Sequence, residues 1–524
     1  MAAMSYSSLA DFLEELSARG ELVRVSAEVD PVLELAEITR RVAAQGGPAL
    51  LFDRVRGATM AVVTNLLGTE SRVCRALGID SLDEIPLRTE ALIQKNTPQN
   101  WFDRLKMSAD DSGTNKFRAR TVKSGPCQQV VRLGRDVDLA GFPLLKQWPG
   151  ESGLSITAAQ LITQDRDAPQ RSVTLCPLQV AGPNCLTVLD DGHSGFARHW
   201  ARHLEANEKM TAAVVVGGDP AAVIAAGLEL PDEVDAYHAT GLLRGTPVDL
   251  VKCRTHAMEV PADADFIFEG YLDPETPPVV LASAGAGGSH YRASRPAPVL
   301  HVTAITHRSH PIFPALVNSG PHGEHGALLK ARERMLLPAV RAAAPDVADL
   351  HLPAYGGPHR FAFVSIHKRY PFQARQIASA LWGSEALKFT KFMILVDARV
   401  NVHDTRAVFS EVGANVAPER DVFTYDGPAH GSDHANPLAP LGRHMAFDAT
   451  SKMPGEQQAA WPAPLATSEE IRQLVTARWE EYRMKDEGWQ GKCGTGSTCV
   501  AGRYQLKLKL RFPAGGDFHA QNHR

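Results

Sequence analysis

The sequence predicts an α/β protein with a β-rich middle: an N-terminal α/β domain, a central β-barrel or split barrel carrying a few helices, and a second α/β domain. Three observations predict it. Strand-like and helix-like runs alternate through the N-terminal part, short β-rich runs punctuated by Gly, Pro and Asp dominate from about 126 to 320, and helices alternate with strands again after Gly326. At 524 residues the chain exceeds one core, and at roughly 100 to 200 residues per domain it holds two or three.

The first helix rests on Leu9, Phe12, Leu13 and Leu16, apolar at helical spacing and stopped at Gly20. ELVRVSAEV (21–29) follows as a strand, LELAEITRRVAA (33–44) as a helix closed by Gly-Gly-Pro, and ALLFDRV (49–55) and MAVVTNLLG (60–68) continue the alternation. Residues 95–125 are polar and irregular and mark a boundary. In the middle, SITAAQLITQD (155–165), SVTLCPLQV (172–180), CLTVLDD (185–191), AAVVVGG (212–218), VDLVKC (248–253), FIFEG (266–270) and PVLHVTAITHR (298–308) read as strands. HWARHLEANEKM (199–210) and DPAAVIAAGL (219–228) read as helices among them. ALLKARERMLLPAVRAAA (327–344) and QARQIASALWG (373–383) alternate with strands FAFVSIH (361–367) and KFMILVDARV (391–400). A helix over 466–484 precedes a polar tail. The resulting domains are 1–110, 126–325 and 326–480, with a tail over 481–524.

Composition narrows the function. A net charge of -4 and a pI near 6.6 give no concentrated basic face for nucleic acid. No run of about 18 apolar residues suggests a membrane span, and the start reads as a helix and not a signal peptide. Seven scattered cysteines, an odd number without CxxC spacing, suit reduced thiols in the cytoplasm.

Local constellations do not fix a reaction. His199 and His203 share a helix face at a metal-capable spacing, but the Glu of HExxH is missing and a partly exposed helix face is the plainer reading. GGDP at 217–220 is explained by helix capping. Cys493 and Cys499 lie in the tail. AGAGGSHYR at 284–292 resembles a phosphate nest, although glycine runs serve turns and close packing more often.

Longer stretches carry a resemblance. Residues 5–57, PCQQVV (126–131), DVDLAGFPLLKQWPG (136–150), GGDPAAVIAAGLELP (217–231), GLLRGTPVDLVKC (241–253), VPADADFIFEGYL (260–272), VTAITHR (302–308), TKFMILVDARVNV (390–402) and GRHMAFDATSKMPGE (442–456) come in the order of the UbiD family, the 3-octaprenyl-4-hydroxybenzoate decarboxylases and their relatives. The chain resembles that family from about residue 5 to 480. The resemblance implies an N-terminal α/β domain, a flavin reductase-like split barrel and a C-terminal α/β domain used for oligomerisation, as a dimer or hexamer. It also implies prenylated FMN, made by a flavin prenyltransferase, with a divalent metal (Mn, Mg or Fe) and K+ at its phosphate.

Most of the family's catalytic equipment is replaced. In SVTLCPLQ, Ser172 takes the place of a metal-binding Asn and Pro177 that of the catalytic Arg. His193 matches the metal His, while Ala236 falls on the metal Glu, with Asp235 and Glu233 as neighbours. LASAGAGGSHY (281–291) lines up with the acid-bearing segment, whose two acids become Leu281 and Ala286. The surrounding scaffold stretches persist, which indicates a rebuilt pocket. Joint loss of two carboxylates and a guanidinium avoids an unpaired buried charge costing on the order of 3 to 5 kcal/mol.

The first functional expectation is a decarboxylase of an aromatic acid activated as an aryl-CoA thioester, such as phthaloyl-CoA. His290 and Tyr291 are its candidate proton donors, and Arg292 and Arg295 candidates for the CoA phosphates. Arg171, Ser172, Gln179, His193 and Lys391 are candidate cofactor contacts, with His193 also the candidate metal ligand; His307 and Arg308 belong to a structural strand. The alternative is a non-catalytic UbiD-like subunit or flavin-binding partner in a larger complex.

Overall fold

The computed structural model describes Tyr6, residues 8–89, 115–167, 171–227, 235–284, 290–291, 295–436 and 441–463, and parts of 465–482. The chain forms two compact units, residues 1–459 and 460–524. In the second, the helix Glu469–Ala477 is capped by Ser468 and is shorter than the expected 466–484. No helix among the described residues is long and apolar enough to cross a membrane.

In the first unit, the helix Leu9–Ala18 starts where Ser8 accepts a hydrogen bond from Asp11 N, and it buries the predicted Leu9, Phe12, Leu13 and Leu16. The N-terminal sheet runs in the order Leu22–Val29, Ala49–Val55, Ala61–Thr64, Ile312–Ala315. Its fourth strand arrives from the far end of the middle segment and pairs parallel with Ala61–Thr64. The two segments are thereby locked into one body.

The middle holds an antiparallel sheet in the order Ser155–Ile156, Leu178–Gly182, Cys185–Val188, Val299–His307, Phe266–Leu272, Met210–Val216, Gln160–Gln164, Arg171–Leu175, with Val130–Leu133 also on Val299–His307. Its end strand Arg171–Leu175 and Leu178–Gly182, near the other end, are joined by Cys176 and Pro177 alone. Each residue spans at most about 3.6 Å, so the sheet must curl until its ends meet. Pro177 has no N–H to offer a ladder, which is why the expected strand 172–180 breaks there. Both faces are buried: Val214, Phe266, Phe268, Leu186 and Leu300 pack on one side, Val215, Ile267, Tyr237 and Val260 on the other. Two-sided burial explains the near-continuous apolar runs.

The helix expected at 199–210 spans Gly195–Ala206, capped by Ser194. His199 and His203 are buried, not partly exposed, because this face packs on the sheet: His199 Nδ1 is 3.0 Å from Thr163 Oγ1. Asp219 caps Pro220–Ala226 as the GGDP reading expects. A further helix, Ala236–Arg244, was not foreseen; Asp235 caps it by accepting from Tyr237 N and His238 N.

The C-terminal layer is a five-stranded sheet in the order Val347–His351, Phe361–Ile366, Phe392–Asp397, Leu441–Asp448, Val422–Pro428. Phe361–Ile366, Phe392–Asp397 and Leu441–Asp448 pair parallel and need crossovers, which the helices Gln373–Trp382 and Thr405–Asn415 supply. The long helix Glu324–Ala343 leads into this layer. Cys74, Cys127, Cys176, Cys185 and Cys253 are free thiols.

Candidate functional site

The strand break at Pro177 places that ring in the wall of a cavity of about 40 Å³, lined also by Gln147, Glu151, Thr157, Leu189, Ser283, Asn318 and His325. Gln147 ties this wall to the N-terminal sheet's last strand: its Nε2 donates to Leu316 O at 2.9 Å and its Oε1 accepts from Asn318 N at 2.8 Å. Glu151 turns back on its own loop and accepts from Gln147 N at 2.7 Å and Trp148 N at 3.1 Å. Burial pushes the His325 imidazole down to about 4, so it is neutral at pH 7. His325 Nδ1, Thr157 Oγ1, Trp148 Nε1 and Gln179 Oε1 are buried without a hydrogen-bond partner. Thr157 and His325 line the cavity itself; native interiors rarely leave such atoms unmet, and two on one wall suit a polar ligand.

Gln179 is wholly buried, and its Nε2 donates to Gly153 O at 3.3 Å and Ala282 O at 3.4 Å. The same two segments are pinned twice more. Ser152 N donates to Ala282 O at 2.9 Å while Ala282 N donates to Ser152 Oγ at 2.8 Å, and Gly150 N donates to Tyr291 Oη at 2.9 Å. Ala284 and Tyr291 form an antiparallel bridge, so the glycine-rich segment is closed at its base. Its inner residues, including Ala286, and Arg292 lie outside the described residues. His290 reaches the C-terminal layer, stacked on His434 with ring centroids 4.0 Å apart.

Leu189 lines the first cavity, and four residues on, His193 packs on Phe389 and His430 at 4.4 and 5.7 Å between centroids. Phe389 and His430, with Lys391, Asp433 and His444, line a second cavity of about 200 Å³ in the C-terminal layer. Lys391 Nζ sits 3.1 Å from Asp433, Arg360 lies 3.9 Å from the same carboxylate, and Arg295 donates to Gly431 O at 3.3 Å. Burial, with Lys388 nearby, holds His193 below its usual value; burial, with Arg332, holds His359 well below. These rings are therefore neutral at pH 7. Lys391 and Arg360 share the Asp433 carboxylate, and Arg295 stands beside them, which concentrates cations around this cavity.

Arg171 is half-buried and bonds Asp235 Oδ2 through Nε at 2.6 Å, with its guanidinium 5.3 Å over the Tyr237 ring. Asp235 is thus occupied as helix cap and ion-pair partner. Ser172 Oγ stands 3.3 Å from Thr174 Oγ1 and so close to Gly195 that a Cβ there would meet it at 2.1 Å. Ala236 begins the helix beside them. Among the described residues, no three His, Cys, Asp or Glu ligands converge on His193.

Lys391 lines the second cavity, His193 packs on two of its lining residues and Arg295 bonds Gly431, while Gln179 and Tyr291 tie together the 150–153 and 282–284 segments next to the first. Glu151, His325 and the run His430–His434 were missed by sequence reasoning. The signal for the last was present, two histidines and an aspartate within HGSDH.

A curled antiparallel sheet between two α/β layers, with a polar cavity where its ends meet, defines the class of three-part, split-barrel proteins to which carboxy-lyases belong. Models of the 3-octaprenyl-4-hydroxybenzoate carboxy-lyase N-terminal, Rift-related and C-terminal domains match residues 13–90, 120–321 and 327–449. The chain belongs to the UbiD family. An uncharacterised Aquifex aeolicus protein is 36% identical over 481 residues, covering 91% of this chain and 98% of that one. The UbiD-class enzyme HmfF from Pelotomaculum thermopropionicum, solved with FMN, is similar at 27% identity and a TM-score of 0.74, over 90% of this chain and 100% of its own. Vanillic acid decarboxylase from Sedimentibacter hydroxybenzoicus shares the fold, with a TM-score of 0.79 at 23% identity over 92% of this chain and 99% of its own.

Proposed function

We propose that the chain is a UbiD-type carboxy-lyase that uses prenylated FMN to release CO2 from an aromatic acid activated as an aryl-CoA thioester, such as phthaloyl-CoA. The observation that carries the reading is the first cavity: two unmet buried polar atoms on its wall, Thr157 Oγ1 and His325 Nδ1, Pro177 beside them and no Arg or Lys among its lining residues. At about 40 Å³ it holds a few waters at most, so the site would have to widen to take a flavin ring system. Thr157, His325 and Gln179 would hold the ring system by hydrogen bonds, and Lys391 and Arg360 would hold the phosphate. HmfF, solved with FMN and in an evolved form with prenylated FMN, supports the flavin.

Bound there, prenylated FMN supplies the electron sink that spares a free aryl anion. The protein's part is to orient the substrate and to move one proton. With no guanidinium in the wall, stabilisation of the electron pair left by departing CO2 falls to the neighbouring thioester carbonyl. Tyr291 Oη accepts from Gly150 N, which leaves its own O–H as the proton donor to the ring carbon, with His290, its neighbour in sequence, as the other candidate donor. Arg295 and Arg292 receive the CoA phosphates. Ser172 and Ala236 offer no hard ligand set to Mn, Mg or Fe, so the cations Arg171 and Lys391 take over part of that charge and no step runs through a metal.

A second reading, a UbiD-like subunit without catalysis, is favoured by the Arg171–Asp235 pair, which closes the position where a metal carboxylate would stand. Co-expression with a flavin prenyltransferase separates them. The enzyme reading expects stoichiometric prenylated FMN in the purified protein, lost about 10-fold in Gln179→Leu, as expected for a site that loses about 1.4 kcal/mol of hydrogen bonding. Flavin-free protein sinks it.

A further inference from the structure

A fully buried carboxylate usually has a cation beside it, because an isolated charge in the interior costs far more than a paired one. Glu269, in the middle of the strand Phe266–Leu272, is wholly buried and has no Lys or Arg ion pair among the described residues. It is held by neutral donors alone: Arg254 N at 2.8 Å, Thr255 N at 2.7 Å and Thr255 Oγ1 at 2.7 Å. The ladder to Val299–His307 slips between Glu269 and Gly270, a bulge of the kind that re-aims a side chain.

What faces that carboxylate is a Cys-x-x-His turn. Cys253 follows the strand Asp249–Lys252, and its N–H donates to Met258 O at 2.9 Å, closing the hairpin with Glu259–Pro261 over residues 253–258. His256 Nε2 lies 3.2 Å from Ala212 O on the strand beside Glu269, and its Nδ1 is buried without a partner. A ligand atom from each of Cys253, His256 and Glu269 lies within 4.8 Å of the other two. Metal-bound histidines commonly donate their second nitrogen to a backbone carbonyl, which fixes the tautomer with a bare lone pair on the first.

We propose that Cys253, His256 and Glu269 bind one divalent transition-metal ion of the zinc class, pinning the hairpin 249–261 to the central sheet. Thiolate, imidazole and carboxylate are the ligand types zinc takes in tetrahedral sites, with water free to fill the fourth position. On binding, the Cys253 thiol proton leaves to solvent, a sulfur–metal bond forms, and no electron is transferred. Two anionic ligands neutralise the divalent ion, so the buried site ends without net charge. Burial, with the Glu269 carboxylate and Cys127 adding to it, raises the Cys253 thiol and keeps it protonated without a metal, which argues against a nucleophile. Arg254, Thr255 and Ala257 at the hairpin tip are exposed and give the ion a way in. None of the three ligands lines either cavity described above.

The test uses the full chain, stripped with a chelator and titrated with cobalt(II). One cobalt per chain should bind with a thiolate-to-cobalt charge-transfer band; Cys253→Ser should abolish the band, and His256→Gln, on a half-exposed turn, should weaken binding on the order of 100-fold. As a check needing no variant, zinc should slow alkylation of Cys253 in the native protein, mapped by peptide mass, and leave Cys74 unaffected. Cobalt binding without the band, a band unchanged in either variant, or alkylation of Cys253 indifferent to zinc overturns the proposal.

Discussion

Asp219 does two jobs with one carboxylate: Oδ1 accepts from Ala221 N to start a helix, and Oδ2 pairs with Arg244, both side chains nearly buried. Removing the cation leaves an uncompensated buried charge, so Arg244→Met should cost about 3 to 5 kcal/mol in urea unfolding, more than loss of an exposed pair. His199 reports on pH. Burial pushes it down to about 4, so above its unfolded value both states are neutral; as pH falls below about 6.5 the unfolded chain takes the proton first. Native stability relative to His199→Gln should therefore decline by on the order of 2 to 3 kcal/mol between pH 6.5 and 4, read from denaturant midpoints. Single residues were unevenly legible. The capping role of Asp219 followed from GGDP, whereas Glu151 and His325 carry no local signature, because the cavity they line is assembled from segments far apart in the chain.

At the scale of elements, apolar runs with clear punctuation were readable and polar edges were not. Val422–Pro428 is a largely exposed edge strand that needs no apolar alternation, and Ala236–Arg244 is buried nearly all round, so its helical face has no polar contrast. The run 172–180 read as one strand; its proline instead makes the crossing that closes the sheet, and so builds the cavity wall. Gly241 inside Ala236–Arg244 shows what packing demands: a Cβ there would lie 2.3 Å from Phe117 O. Gly241→Ala gains about 1 kcal/mol of helix propensity but must displace backbone, and overpacking of this kind costs about 1 to 3 kcal/mol. A net loss of about 1 kcal/mol is expected in thermal melts, and an unchanged or raised Tm would show the contact to be soft.

For the whole molecule, the family resemblance supplied the three-layer order, and the family-domain matches agree with it. Local pattern could not supply the swap of Ile312–Ala315 into the N-terminal sheet, since a strand's partner is set by the fold and not by its own residues. The same holds for the cluster built jointly from His193, Arg295, Lys391 and the 430–434 run. The substitutions at Ser172, Pro177, Ala236, Leu281 and Ala286 are legible in the sequence as an expected rebuilt pocket, and Thr157 and His325 line the same cavity as Pro177 with unmet polar atoms. The central proposal is that this pocket decarboxylates an acid whose thioester does the work of the missing side chains. The most direct measurement is release of labelled CO2 from carboxyl-labelled phthaloyl-CoA and from free phthalate by protein co-expressed with a flavin prenyltransferase. Release from the thioester and none from the free acid is the predicted result; flavin-loaded protein that releases CO2 from neither, or equally from both, would contradict it.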